Sequence, residues 1–109
     1  MESQKRKVLR YLSAGKDLYG EWLGKLQDIS GRAAVSIRVD RVAAGNFGDH
    51  RYVDHGVWEL RIHCGPGYRV YYGEDGPVIV LLLCGGDKRS QRKDIDKARR
   101  LWAAYRGLK

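Results

Sequence analysis

Cysteine is scarce, with two thiols, Cys64 and Cys84, in 109 residues. Neither lies in a CxxC pair or a His/Cys cluster, so a disulfide framework is excluded and both read as buried reduced thiols. His50, His55, His63 and two distant thiols assemble no metal-ligand pattern, and no cofactor is implied. Long apolar runs are absent too. The longest, Val78 to Cys84, is far shorter than the ~20 residues a membrane-spanning helix needs. The basic cluster Lys5-Arg6-Lys7 leads into Val-Leu-Arg-Tyr-Leu and not into an apolar signal core. A cytoplasmic protein without membrane contact is the expectation. Repeats, linkers and low-complexity stretches are missing, and residues 1–109 read as a single domain. Gly85-Gly86-Asp87 lacks the spacing of a phosphate-cradling nucleotide loop.

Acidic residues are outnumbered, 13 against 21 Lys and Arg, giving a net charge of +8. On so small a domain that excess implies an anionic partner. It is also uneven: from Asp87 to Lys109 nine basic residues face three Asp. A hydrophobic content of 43% is ample for a folded core.

The periodicities predict a β-αα-β(2 or 3)-β-α order. Lys7 to Ser13 reads as a strand broken by Ala14-Gly15-Lys16. Asp17 is placed to cap a helix carrying Leu18, Trp22, Leu23 and Leu26 at helical spacing. A second helix starts at Asp28–Gly31, buries Val35, Val39 and Val42, turns Arg32, Ser36 and Arg38 outward, and ends at Gly45. The two form a helical hairpin. Asn46 to His55 reads as a polar loop with a short strand near Arg51-Tyr52-Val53. The continuous apolar run Val78–Cys84 predicts a strand covered on both faces. Asp87 or Ser90 opens a last helix with Ile95, Ala98, Trp102 and Tyr105 on one stripe, closed by Gly107. The expected fold class is α+β, with the helices on one side of a mostly antiparallel sheet of four to five strands. Trp22, Trp58 and Trp102 are assigned to the core.

Gly56 to Tyr72 is the most informative segment. Alternation puts Trp58, Leu60, Ile62 and Cys64 on one face and Glu59, Arg61 and His63 on the other. With Gly65-Pro66-Gly67 as the loop, Ile62 opposes Val70, Leu60 opposes Tyr72, His63 opposes Arg69 and Arg61 opposes Tyr71. Arg61, His63, Arg69 and Tyr71 would then form a cationic, titratable face suited to a phosphate backbone. The competing reading is ion pairing of the arginines with Glu59 or Asp75.

The order of elements and several motifs resemble the RelE/ParE superfamily of type II toxin–antitoxin modules, in particular its HigB-like, addiction-module-killer branch. The residues that carry the resemblance are Glu21-Trp22-Leu23, Gly45-Asn46-Phe47-Gly48-Asp49, Gly65-Pro66-Gly67-Tyr68-Arg69-Val70-Tyr71 and Gly85-Gly86-Asp87-Lys88 with Gln91 and Asp94-Ile95. The likeness runs from about Lys7 to Tyr105. It implies a RelE-like fold with an N-terminal helical hairpin and a C-terminal helix. It also implies a growth-arresting mRNA interferase, commonly acting on the ribosome, and an antitoxin partner, expected to be a helix-turn-helix protein with an acidic contacting segment. The ParE-like alternative is a non-catalytic inhibitor of DNA gyrase; a further one is an inactive RNA-binding relative. Arg69 matches the arginine of the Gly-Tyr-Arg motif, Arg61 a basic residue on the preceding strand and Lys88 one after the last strand. The tyrosine some members carry in the first turn of the last helix is missing, and Asp94 falls near its place.

Metal-independent cleavage of RNA uses the substrate's own 2′-OH as nucleophile. The protein must orient it, move two protons and stabilise the phosphorane. Arg61, Arg69 and Lys88 are the expected phosphate and transition-state ligands, arginine because its fork matches two phosphate oxygens. His63 is the candidate for proton transfer. Tyr71 is expected to stack on a base or act as an acid, the competing reading being a plain surface aromatic, and Arg89, Arg92 and Lys93 to bind RNA at the start of the last helix, where free backbone N–H groups would help Lys88 and Arg89. His50 and His55 are expected in a loop flanking this face.

Overall fold

The structure is a computed structural model that describes residues 4–107. A strand β1 (Lys7–Arg10) and a small hairpin of β2 (Leu12–Ser13) and β3 (Lys16–Asp17) precede helices α1 (Leu18–Lys25) and α2 (Ile29–Ala43). Strands β4 (His50–Asp54), β5 (Val57–Ile62), β6 (Tyr68–Asp75) and β7 (Ile79–Asp87) follow, then helix α3 (Gln91–Tyr105). The expected single strand over Lys7–Ser13 is thus split. Ala14 and Gly15 both take positive φ, 50° and 79°, as a tight two-residue hairpin turn demands. Asp17 caps α1 as expected and Asp28 caps α2, each accepting a 2.9 Å hydrogen bond, from the Gly20 and Gly31 amides.

The five strands run in the order β1-β7-β6-β5-β4. Four are antiparallel, and β1 lies parallel to β7 along the edge, Lys7 opposite Ile79 and Arg10 opposite Leu82. β7, β6 and β5 occupy the interior, where their residues are packed on both sides of the sheet. Among the described residues no helix is long and apolar enough to cross a membrane.

The expectation that all helices pack on one side is wrong. The sheet separates two cores. On one side Tyr19, Val35 and Val42 of the helical hairpin meet Leu60, Ile62, Tyr68, Val70, Tyr72, Val80 and Leu82. On the other, Ala98, Leu101 and Trp102 of α3 meet Val57, Tyr71, Leu81, Leu83 and Cys84. The reason lies in β7, whose unbroken apolar run exposes hydrophobic side chains on both faces unless each is covered. A bulge sharpens this. Tyr71 pairs with Cys84 but Tyr72 with Leu82, leaving Leu83 as the extra residue. Leu81, Leu83 and Cys84 therefore all reach the α3 side. Of the three tryptophans, Trp102 is fully in a core; Trp22 and Trp58 are half-buried against the other.

Trp102 seats on β6 at Gly73, where a Cβ would lie 2.3 Å from the indole ring. Gly73→Ala must displace a rigid core ring and should cost roughly 1–3 kcal/mol. Gly24→Ala meets nothing within 4 Å, and in a helix it should stabilise by about 0.5–1 kcal/mol. Thermal melts of the two variants should shift in opposite directions; equal shifts would mean that α3 does not sit on the sheet as described.

Candidate nucleic-acid interface

β5 ends at Ile62, and residues 63–67 form the loop, turned by positive φ at Gly65 and Gly67 (55° and 82°). The loop is longer than the expected Gly65-Pro66-Gly67, so the ladder slides by two residues: Ile62 pairs with Tyr68, Leu60 with Val70 and Arg61 with Arg69. A slip of one residue would have turned every side chain to the wrong side; a slip of two keeps the faces. The expected pairs His63–Arg69 and Arg61–Tyr71 are therefore incorrect, yet Arg61 and Arg69 still share a face and now stand directly opposite one another.

Two like charges directly opposed in a ladder repel, and each is held by its own carboxylate. Arg61 donates through Nε and Nη2 to Asp49 Oδ1 at 3.2 and 2.9 Å. Arg69 places Nε 3.5 Å from Glu59 Oε2. Glu59 is completely buried, and its remaining lone pairs accept from Arg51 Nε at 2.9 Å and Gln91 Nε2 at 3.0 Å. Ion pairing of both arginines is thus real, though the Asp75 expected as a partner is engaged by the Tyr105 hydroxyl. β7 delivers the third cation: the Lys88 amide donates to the Gly67 carbonyl at 2.9 Å and pins this residue beside the loop. Arg61, His63, Arg69 and Lys88 together line an open cleft of about 420 Å³.

His63 has left the ladder. Its side chain is 77% exposed, with Nε2 in hydrogen-bond contact with Asp49 Oδ2. Asp49 therefore clamps both Arg61 and His63, and these partners, His63 first, hold its carboxyl below the usual range. Sequence reasoning missed Asp49 as a site residue and treated Glu59 only as a bland partner. For Glu59 the signal was present: an acid on the arginine-bearing side of a strand interior.

Arg38 is a further correction. It does not face outward but donates to the carbonyls of Arg61 (2.6 Å), Phe47 (2.8 Å) and Asp49 (2.9 Å). It stands three residues after Val35 and four before Val42, which is the inner stripe of α2. Burial lowers its pKa from the ordinary guanidinium value, opposed by the nearby Asp49. This one side chain straps the segment carrying Asp49 onto β5.

Other expected site residues lie elsewhere. Tyr71 is on the arginine face but completely buried under α3, its hydroxyl unpartnered and its pKa pushed well up by burial, so it cannot stack on a base. Arg89 is 87% exposed and lies 3.6 Å from Asp87. The helix start offers fewer free N–H groups than expected, because Asp87 Oδ1 accepts from the amides of Arg89 and Ser90 at 2.9 and 3.1 Å. Lys93 is exposed on α3, away from the cleft. Arg92 opens onto a neighbouring cleft with Arg51 and Arg99. His50 packs between Phe47 and Trp58 on the helical-hairpin side, and His55 sits at φ 51° beside Asp54. Neither lines the Arg61–Arg69 cleft. Cys84 is buried and its thiol pushed up to about 12 by burial, whereas Cys64 is only half-buried on the cleft wall. Among the described residues no group of three or more His, Cys, Asp or Glu is arranged to hold a metal.

The depressed Asp49 carboxyl sets a pH test. Its clamp contributes stability above the unfolded aspartate value of about 3.9 and loses it as pH falls through the lower folded value. A carboxyl-carbon NMR titration should put the Asp49 midpoint below that of a free aspartate. Removing both partners in the double variant Arg61→Ala, His63→Ala should return it to the ordinary range; an unchanged midpoint would contradict the clamp.

No family model matches the chain. A protein of Haemophilus influenzae described as an uncharacterized protein is 47% identical to it over 83 residues, which cover 76% of this chain and 84% of that protein.

Proposed function

The chain belongs to the same family as the Haemophilus influenzae protein, and we propose that it is the toxin of a RelE/ParE-type, HigB-like toxin–antitoxin module, an endoribonuclease that cuts mRNA on the ribosome. The observation that carries this reading is the direct opposition of Arg61 and Arg69, with Lys88 and His63 on the same open cleft. Opposed cations on a rigid sheet give two donor forks for one phosphate, and a donor fork aimed at developing charge is worth most where it needs no reorganisation. A protein that only bound gyrase would have no use for this cluster.

In the proposed reaction the 2′-oxygen of the substrate attacks the adjacent phosphorus and the bond from phosphorus to the 5′-oxygen breaks. The products are a 2′,3′-cyclic phosphate and a free 5′-hydroxyl. Arg61, Arg69 and Lys88 hold the phosphorane charge. His63, oriented through Nε2 by Asp49, keeps Nδ1 for the 2′-OH proton, and the Lys88 ammonium is the matching donor to the leaving oxygen. Asp49 acts here as a positioning residue. No cofactor enters the scheme.

Because Arg69 is only 13% exposed and faces a fully buried carboxylate, Arg69→Ala is not the innocuous surface change that its place on a strand face would suggest. It should cost about 1–3 kcal/mol by leaving Glu59 short of a partner. The cleaner tests are Arg69→Lys, which keeps the charge and loses the fork, and Lys88→Ala at an exposed position. Both should stay folded, lose growth inhibition on induced expression, and cut RNA roughly 10²–10³-fold more slowly. Full toxicity from the folded variants would sink the nuclease reading.

The proposed partner is an antitoxin with an acidic contacting segment, which shields a surface of net charge +8 from cellular RNA. Its association rate should fall steeply between low and high salt. A salt-independent rate would place the docking site on the apolar side of the helical hairpin instead.

A further inference from the structure

The cleft that Arg92 faces is a second concavity, of about 460 Å³, lined by Arg51, Gln91, Arg92, Ile95, Asp96 and Arg99. The two clefts share no lining residue, but the buried Glu59 carboxylate beneath them links their linings: Oε2 faces Arg69 of the first and accepts from Gln91 of the second, while Oε1 takes Arg51 of the second. The ladder sets the spacing. Arg51 is opposite Glu59, and Asp49, two residues earlier, binds Arg61. Arg51 Nε and Arg69 Nε lie 2.9 and 3.5 Å from the two oxygens of the Glu59 carboxylate, so the guanidiniums that line the two clefts stand one carboxylate apart, a reach that consecutive phosphates of one extended strand can match.

The charges in the second cleft are unequally committed. Arg99 is taken by Asp54 and by Asp96. Arg51 gives its Nε to Glu59, which leaves its terminal nitrogens for other acceptors. Arg92 is exposed and has no acidic partner among the described residues. A concavity with one uncommitted guanidinium and one half-committed guanidinium, linked through Glu59 to a cation-lined cleft, has the chemistry of an anion site.

We propose that this second cleft is a phosphate subsite for the same strand, one that holds a phosphodiester adjacent to the scissile one through Arg92 and the terminal nitrogens of Arg51. The inference rests on the nuclease reading for its substrate, single-stranded RNA. The subsite fixes the register of the strand and makes binding depend on length. A substrate with a single phosphate reaches Arg61, Arg69 and Lys88 alone; a longer one reaches Arg92 as well. Arg51 is a poor probe because it neutralises buried Glu59, whereas Arg92 can be removed without disturbing the fold.

The test uses 2′-O-methyl oligoribonucleotides, which bind but lack the nucleophile. Fluorescence anisotropy would compare a dinucleotide with a hexanucleotide on the wild-type protein and on Arg92→Ala. The expected result is tighter binding of the hexamer by the wild type. Arg92→Ala should weaken the hexamer roughly fivefold at 0.1 M salt, with a salt slope shallower by about 0.7, the single-strand value for one phosphate. The dinucleotide should be unaffected. Equal loss for both lengths, or no loss for either, overturns the subsite; in the latter case the cleft is left to an acidic protein segment. Cleavage of mRNA is scored separately, in a cell-free translation reaction that supplies ribosomes. Length-dependent binding without any cleavage there would end the nuclease reading and leave the subsite standing, while cleavage without a length effect would do the reverse.

Discussion

The buried carboxylate of Glu59 is the interaction on which the rest of this molecule depends. A carboxylate taken wholly out of water is costly unless every lone pair finds a donor. Here the partners come from three different elements: Arg51 from β4 and Gln91 from the first turn of α3 donate hydrogen bonds, and Arg69 from β6 supplies the opposing charge at 3.5 Å. The edge strand, the interior of the sheet and the covering helix are thereby fixed to one point on β5. Removing one partner leaves the others around a charge they no longer fully satisfy, so the three attachments stand or fall together.

The second acid, Asp49, does the same on a smaller scale and nearer to water. It is anchored from behind by Arg38, which binds its carbonyl and that of Arg61, and it grips Arg61 and His63 in front. The guanidiniums of the cleft are thus not free surface charges. Each is oriented by an acid whose own position is set by backbone contacts, the preorganisation that precise recognition of a phosphate needs.

Much of this was legible in the sequence where periodicity alone decides. Alternation along Val57–Ile62 and Tyr68–Asp75 assigns Arg61 and Arg69 to one face whatever the loop length, as long as any slip is even. The slip itself was not legible, since Gly65, Pro66 and Gly67 allow several turns and only the Gly67–Lys88 and Gly67–Cys64 contacts choose among them. The two-sided sheet was implicit in the unbroken run of β7, but a strand pattern does not say which helix covers which face. Tyr71 was misread for that reason: alternation puts it beside the arginines, and only α3 determines that it is dry. Arg38 and Asp49 escaped because their roles lie in contacts between segments far apart in the chain. A charged residue on the inner stripe of α2 was the one local hint.

The parallel edge pair has a consequence for how the chain is made. Lys7 has its partner in Ile79, so β1 has nothing to pair with until β7 has emerged from the ribosome. Pairings this distant close late and slowly. The cleft shares that dependence, because Lys88 follows β7 directly and Gln91 completes the Glu59 cluster only after that. A nascent chain of this protein therefore leaves its cationic site unformed until β7 and the start of α3 have been made.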